Sequence, residues 1–283
     1  MSSLELIGIS KSFGNVKALD DINLTFEEGK IYGLLGRNGA GKTTLLKIVY
    51  EMLFPSAGTV RVDGQAIGGN DAALGKMFFI GEKNYFPEDM KVETAFRRMK
   101  EFRNEFDTAY ANRLSDAFGL KTKKKIKSLS TGYASIFKNI LALASNAPFI
   151  LLDEPVLGLD ANHRDILYKF MIEKYSESPF TAVISTHLIE EVASVVEHVV
   201  IIKDGRIIRD EPRETLLDSG YSVSGKAETV REFVSGREVL GSDVLGGFET
   251  AYVLGECPRS GLPEGLEINR MDLQRLFIQL TNS

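Results

Sequence analysis

The sequence predicts an α/β fold organised on a mostly parallel sheet. Three observations point there. Apolar runs of strand length alternate with stretches of helical spacing through most of the chain. A glycine-rich loop, Gly36-Arg37-Asn38-Gly39-Ala40-Gly41-Lys42-Thr43-Thr44, joins one such strand to a helix. Asp153-Glu154 and His187 fall just past the ends of two further strands. In open α/β sheets ligands bind at the carboxyl ends of strands, so these separate segments converge on one edge.

Residues 4–28 carry short alternating segments, Leu4, Leu6 and Ile9, then Ile22, Leu24 and Phe26, which read as half-buried antiparallel strands. Phe13 lies between them, either as a stacking platform for a purine or as part of a small core cluster. Ile31–Leu35 is a buried strand, and Gly36 to Thr43 fits G-x-x-x-x-G-K-[ST]. Leu45, Leu46, Val49 and Leu53 then recur at helical spacing until Pro55. At the start of that helix, unpaired N–H groups and the positive end of the dipole attract an anion. Lys42 would reach β- and γ-phosphates there, and the Thr43 hydroxyl would ligate Mg²⁺.

Thr59–Val62 is a strand followed by the hairpin signal Asp63-Gly64. Met77–Ile80 is a buried strand running into Gly81-Glu82-Lys83-Asn84-Tyr85-Phe86-Pro87. The period then changes. Val92, Phe96, Met99 and Phe106 mark one helix face, Tyr110, Leu114 and Phe118 a second, with Gly119 as a C-cap. A helical subdomain is expected over about 88–128, and the lysine run 121–127 reads as a solvated face. Ser130 caps a helix that packs Ile136, Ile140, Leu141 and Ala144.

Phe149–Leu152 is a strand ending in Asp153-Glu154-Pro155, and the turn Gly158-Leu159-Asp160 leads to a helix near 162–175. Thr181–Ile184 is a strand ending in Ser185-Thr186-His187. A helix near 188–197 and the hairpin Val199–Arg209, turned at Asp204-Gly205, close the region. The main domain therefore spans 1–211, and 212–283 reads as a small α+β appendage. Its strands are expected at Tyr221–Val223 and Ala251–Leu254, its helices at Val230–Val234 and Met271–Leu280, with glycines and prolines gathered at 255–265. It carries no phosphate motif and is expected to stand outside the phosphate site.

At 43% hydrophobic and 26% charged, the 283 residues are those of an ordinary globular protein. No apolar run approaches the ~18 residues of a membrane span. The start Met1-Ser2-Ser3-Leu4-Glu5 lacks a signal peptide's basic and apolar regions. Cys257 is alone, which leaves no partner for an internal disulfide and fits a reducing cytoplasm. Lys plus Arg is 34 against 39 for Asp plus Glu, a net charge of −5 that argues against broad nucleic-acid binding.

Asp153, at a strand end, would hold Mg²⁺ beside the loop. Glu154 would orient or deprotonate the water attacking a γ-phosphate. His187, on a neighbouring strand, would touch both. With these residues in this order, the chain resembles the ATPase subunit of an ATP-binding cassette (ABC) transporter. The carriers are Gly36–Thr44 as Walker A, Leu129-Ser130-Thr131-Gly132-Tyr133 as the signature and Phe149–Glu154 as Walker B. Gly158-Leu159-Asp160 matches the D-loop, Ser185-Thr186-His187 the H-switch and Phe13 the adenine-stacking aromatic.

The resemblance implies a P-loop NTPase fold and two subunits, identical or different, that sandwich two ATP molecules head to tail. Phe13, Gly36, Asn38, Gly39, Ala40, Gly41, Lys42, Thr43 and Thr44 would hold ATP, with Thr43, Glu82 and Asp153 on Mg²⁺. Lys42, Glu154 and His187 would be catalytic. Ser130, Gly132 and Asp160 would act across the dimer. A polytopic membrane permease would be driven from the cytoplasmic face, its coupling helix received at Pro87 through Val92 with Tyr85-Phe86-Pro87 supplying apolar contacts, and no nucleic acid is involved. The family usually has Gln at the position of Glu82, and its common signature Leu-Ser-Gly-Gly-Gln is here Leu-Ser-Thr-Gly-Tyr. Similar signatures and C-terminal appendages occur in exporter-type and acetoin-type subfamilies, so export is expected. The competing class is a soluble ABC-type ATPase acting on ribosomes, DNA or regulation. Its members usually join two cassettes or carry long insertions, which this chain lacks.

Overall fold

A computed structural model describes residues 2–258 and 263–282. Part of the glycine- and proline-containing stretch expected at 255–265, namely 259–262, lies outside the described residues. The N-terminal strands β1 (Ser3–Phe13) and β2 (Val16–Glu27) pair antiparallel. Next in chain order come the central strand β3 (Ile31–Leu35) and helix α1 (Lys42–Val49). Strands β4 (Ala57–Val62) and β5 (Gln65–Ala66) complete the small sheet, in the order β2-β1-β4-β5. Alternation decides its orientation: Leu4, Leu6, Ile9, Ile22, Leu24 and Phe26 are all buried. The hairpin turn between β4 and β5 has Asp63 and Gly64 both at positive φ, 52° and 74°, as a two-residue turn between twisted strands requires.

Helix α1 stops at Val49 rather than at Pro55, because Glu51 adopts φ 56° and turns the chain, leaving Leu53 beyond the helix. After the short helix α2 (Asp71–Leu74) come β6 (Met77–Ile80), β7 (Phe149–Asp153), β8 (Thr181–Thr186), β9 (His198–Lys203) and β10 (Arg206–Pro212). With β3 they form a six-stranded sheet of order β10-β9-β3-β8-β7-β6, parallel except for β10. Both faces are covered, so successive residues feed two cores. Tyr32, Leu34, Phe149 and Leu151 join α1 and the N-terminal sheet, while Ile31, Leu35, Ile150 and Leu152 pack towards the helices opposite.

The helical subdomain contains α3 (Val92–Phe102), α4 (Thr108–Ala117) and the start of α5 (Thr131–Ala144). Phe106 is not on the face of α3. It lies in the connection after the helix, yet it is fully buried and rings with Phe96 at 6.2 Å. An apolar anchor in a short connection mimics helical periodicity. α6 (Ala161–Glu177) follows β7, while the helix expected over 188–197 is a single turn, α7 (Ile189–Val192).

The C-terminal unit adds α8 (Arg213–Asp218), β11 (Gly220–Lys226), α9 (Ala227–Val234), β12 (Glu238–Leu245), β13 (Phe248–Leu254), β14 (Glu267–Arg270) and α10 (Leu273–Asn282). Its sheet is antiparallel, in the order β12-β13-β11-β14. The expectation had missed α8, β12 and β14. β12 contains Gly241 and Asp243 and is exposed over most of its length, so it carries no buried alternation. One core of the unit joins Val230 of α9 to Tyr221, Val223, Ala251 and Val253. The other side is not separate: Leu273, Leu276, Phe277 and Leu280 of α10 belong to the same core as Ile189, Val192 and Val195. The unit is therefore seated on the main domain through α10 and the segment around α7.

Candidate functional site

The glycine-rich loop leaves β3 between the chain's own backbone surfaces. A Cβ on Gly36 would stand 2.7 Å from the Ile202 carbonyl. Gly41 sits at φ 111°, and its Cβ would meet the Ala18 carbonyl at 2.8 Å. Neither position admits another residue without moving main chain. The first helical bond runs from Leu45 N–H to the Gly41 carbonyl at 2.9 Å, so the amides of Lys42, Thr43 and Thr44 head out of the helix end. Lys42 is only 6% exposed, and its Nζ donates to the Gly36 carbonyl at 2.7 Å, closing the loop on itself. Burial pushes its ammonium below the usual lysine range, and the Glu154 and Asp153 carboxylates oppose that. Asn38 and Gly39 form the exposed tip, Ala40 is buried beneath it and Thr43 is exposed.

The parallel register of β7 and β8 sets Asp153 opposite Ser185. Asp153 is 8% exposed, and its Oδ1 accepts from Ser185 Oγ at 3.0 Å. Glu154 follows at φ 51°, a left-handed conformation uncommon for a residue with a Cβ, which costs about 1 kcal/mol or more. Its N–H donates to the Ser185 carbonyl at 2.8 Å. Both carboxylate oxygens are then held from β8: Thr186 Oγ1 donates to Oε2 at 3.0 Å, and His187 Nδ1 meets Oε1 at 2.8 Å. The carboxylate is fixed in rotation as well as position.

A cavity of about 270 Å³ opens here, lined among others by Thr43, Glu82, Thr131, Lys138, Asp153 and Glu154. Thr43, Glu82 and Asp153 thus share one wall system. No group of three or more His, Cys, Asp or Glu side chains among the described residues forms a ready metal cage. An alcohol and one or two carboxylates beside phosphate oxygens do fit Mg²⁺, which is usually held by few protein ligands plus substrate.

Sequence reasoning missed three side chains here. Ser185 and Thr186 clamp the two carboxylates, and Lys138 Nζ donates to the Gly81 and Glu82 carbonyls at 2.6 and 3.0 Å. The signal for Lys138 was a lone cation inside the apolar run Ile136-Phe137-Lys138-Asn139-Ile140-Leu141.

Other expected residues lie apart from this cavity's lining. Phe13 is 50% exposed at the end of β1, with the Lys11 ammonium 5.2 Å from its ring centroid. Ser130 caps α5 by accepting from Tyr133 N–H at 3.3 Å, and lines a different crevice with Gly119 and Lys124. Gly132 abuts the turn before Asp160: its Cβ would be 2.7 Å from the Gly158 carbonyl. Asp160 caps α6, and the His163 N–H bonded to it at 2.9 Å holds its carboxyl below the usual range. Ser130, Gly132 and Asp160 thus share one neighbourhood around the α5 N-terminus. The C-terminal unit supplies none of the lining of the 270 Å³ cavity, but it does reach the tip of the loop. Arg37 donates to Asn282 Oδ1 at 3.0 Å, and Thr281 lines a crevice with Asn38 and Gly39.

The family model described as "ABC transporter" matches residues 19–157. The ABC transporter ATP-binding protein YtrB of Bacillus subtilis (strain 168) is 30% identical over 204 residues, which are 72% of this chain and 70% of YtrB. This chain belongs to the ABC transporter family, as an ATP-binding subunit. Such cassettes hydrolyse ATP to power transport. The taurine import ATP-binding protein TauB of Jannaschia sp. (strain CCS1) is 32% identical over 222 residues, 74% of this chain and 82% of TauB. Among solved structures, the dimeric post-hydrolysis state of the ATP-binding cassette MJ0796 bound to ADP and Pi has the same fold. Its TM-score is 0.66 at 24% identity, over 74% of this chain and 98% of that one. No described helix is long and apolar enough to cross a membrane.

Proposed function

We propose that this chain is the ATP-hydrolysing subunit of an exporter, working on the cytoplasmic face with a separate polytopic partner. Two cassettes pair head to tail around two ATP molecules. Phe13 stacks on adenine. The amides from Gly36 to Thr44, with Asn38, and the Lys42 ammonium cradle the phosphates, and Lys42 exchanges its bond to the Gly36 carbonyl for phosphate oxygens. Thr43, Glu82 and Asp153 hold Mg²⁺, which when bound neutralises charge on the β- and γ-phosphates. Ser130, Gly132 and Asp160 act on the nucleotide of the opposite subunit.

The observation that carries this reading is the held carboxylate of Glu154, next to Asp153 and locked by Thr186 and His187. Water aligned opposite the β–γ bridging oxygen gives its proton to Glu154 as its oxygen bonds to the γ-phosphorus. The bond to the bridging oxygen breaks, leaving ADP and phosphate. His187 keeps the carboxylate aimed at that water.

Glu154→Gln should bind ATP but lose about 10²–10⁴-fold in turnover, the usual loss for a general base. In size exclusion with ATP the variant should persist as a dimer longer than the parent. Unchanged turnover would refute the assignment. Export itself is supported by the signature Leu129-Ser130-Thr131-Gly132-Tyr133 and by the appended unit, both of which resemble exporter-type cassettes. Inside-out vesicles carrying the complex should accumulate substrate on adding ATP. Accumulation in right-side-out vesicles instead, as the similarity to a taurine import protein would have it, overturns the direction.

A further inference from the structure

We infer that Lys138 is a positioning residue for the metal side of the site, tying the turn that carries Glu82 to the signature helix α5. The inference rests on the reading of Glu82 as a metal-side carboxylate. A lysine at this place on α5 needs a reason. Ile136, Phe137, Ile140 and Leu141 around it are at most 3% exposed, and a cation beside them loses hydration unless its donors are used. Two of its three donors are used on one target, the successive carbonyls of Gly81 and Glu82, at 2.6 and 3.0 Å.

The target matters because Glu82 is one of the two departures from the family pattern, which usually has an uncharged Gln there. A carboxylate can still ligate Mg²⁺, but it also repels the triphosphate. Lys138 answers both problems. It fixes the backbone from which the Glu82 side chain starts, and it adds positive charge in the cavity that also holds Asp153 and Glu154. Lys47 and Lys83 stand on the same cavity wall. Lys138 differs from them in bonding the Glu82 backbone itself, through a helix whose N-cap is Ser130. The geometry therefore joins the signature helix to the metal side within one subunit.

The test uses the full chain and two readouts: fluorescence of a mant-labelled ATP analogue across a Mg²⁺ titration, and steady-state ATPase kinetics. Lys138→Met should raise the Mg²⁺ concentration for half-maximal nucleotide binding about five- to tenfold, the size expected for losing a hydrogen bond that holds the turn carrying Glu82. Lys138→Arg, which keeps charge and donors, should stay within about twofold of the parent. In a Glu82→Gln background Lys138→Met should lose most of its effect, because the metal-side carboxylate it positions is gone. Lys83→Ala, which removes an exposed charge from the same wall, should change little. Parent-like Mg²⁺ dependence in Lys138→Met overturns the inference. So does an equal effect with and without Glu82, or the same effect from Lys83→Ala. If Glu82→Ala alone leaves the Mg²⁺ titration unmoved, the metal-side reading of Glu82 fails instead. Should Lys138→Met not fold by circular dichroism, the comparison is read on Lys138→Gln with the same expected outcomes.

Discussion

Cutting the chain at residue 211 should cost it stability before it costs nucleotide affinity. In the sequence the C-terminal unit reads as either separately folded or draped on the main domain, and α10 is part of the main core. Leu273, Leu276, Phe277 and Leu280 are between 0 and 6% exposed and share a cluster with Ile189, Val192 and Val195. Fully burying one such side chain contributes about 1.5–3 kcal/mol, so the four together contribute roughly 6–12 kcal/mol as an upper bound. Part of that burial is against the unit's own sheet. Assigning half of it to the main domain still leaves about 3–6 kcal/mol, a large share of the roughly 5–15 kcal/mol that holds a domain folded. The shortened chain would also uncover an apolar strip directly after His187. A gentler version keeps the chain whole: Leu276→Ala, at a side chain with no exposure, should destabilise by about 2–5 kcal/mol and lower Tm by roughly 5–15 °C. Differential scanning fluorimetry with and without ATP reads both variants. A 1–211 chain that is monomeric and melts within a few degrees of the parent would refute the shared core.

Thr186→Val removes one of the two bonds on the Glu154 carboxylate and should lower kcat about tenfold or more while ATP affinity holds. Thr186→Ser should restore most of the rate, and a parent-like rate in the valine variant would show the clamp to be idle. Asn282→Ala breaks a single exposed contact to Arg37 and should shift mant-ATP affinity less than about twofold; a larger loss would make α10 part of the loop's support. Tyr85 and Phe86 should behave differently. Tyr85 is 58% exposed, so Tyr85→Ser should weaken co-purification with a membrane partner and leave stability intact. Phe86 packs on Phe137 with ring centroids 5.6 Å apart, so Phe86→Ser should lower Tm. If Phe86→Ser keeps the parent Tm, this division is wrong.

The cassette was legible because its information is local. Strands β3, β6, β7 and β8 are runs of four to six residues, buried along nearly their whole length, and each loop after them carries polar residues of unusual type. The C-terminal unit was half legible. β11 and β13 show buried alternation, but β12 is an exposed edge strand whose place is set by pairing with β13 alone. The seat of α10 on the segment around α7 could not be read, since it joins residues more than 80 positions apart and the helix's apolar face names no partner. Phe106 shows the opposite error: a buried side chain in a connection counted as helical period.

The site's side-chain clamps were unreadable for a related reason, and they show how the sheet organises the chemistry. Ser and Thr at a strand end are ordinary residues, and nothing in Ser185-Thr186 announces a role. Their role comes from register. Once Asp153 pairs opposite Ser185, the next residue on each strand is set too, and Thr186 and His187 fall on Glu154. A shift of β8 by one residue would turn the Ser185 hydroxyl away from Asp153 and carry the clamp off Glu154. What holds that register is the apolar body of both strands, Phe149–Leu152 against Thr181–Ile184, all buried. Helix α7, just after His187, is tied by Arg164, which donates to the Leu159 carbonyl at 3.0 Å and pairs with Glu191. Leu159 stands between Gly158, which abuts Gly132 of the signature, and Asp160. The signature neighbourhood and the Glu154 clamp are therefore joined by packed backbone and one arginine, within a single subunit. Alignment of the Glu154 carboxylate follows from core packing, and substitutions away from the site that disturb the β7–β8 register should act on turnover before they act on nucleotide binding.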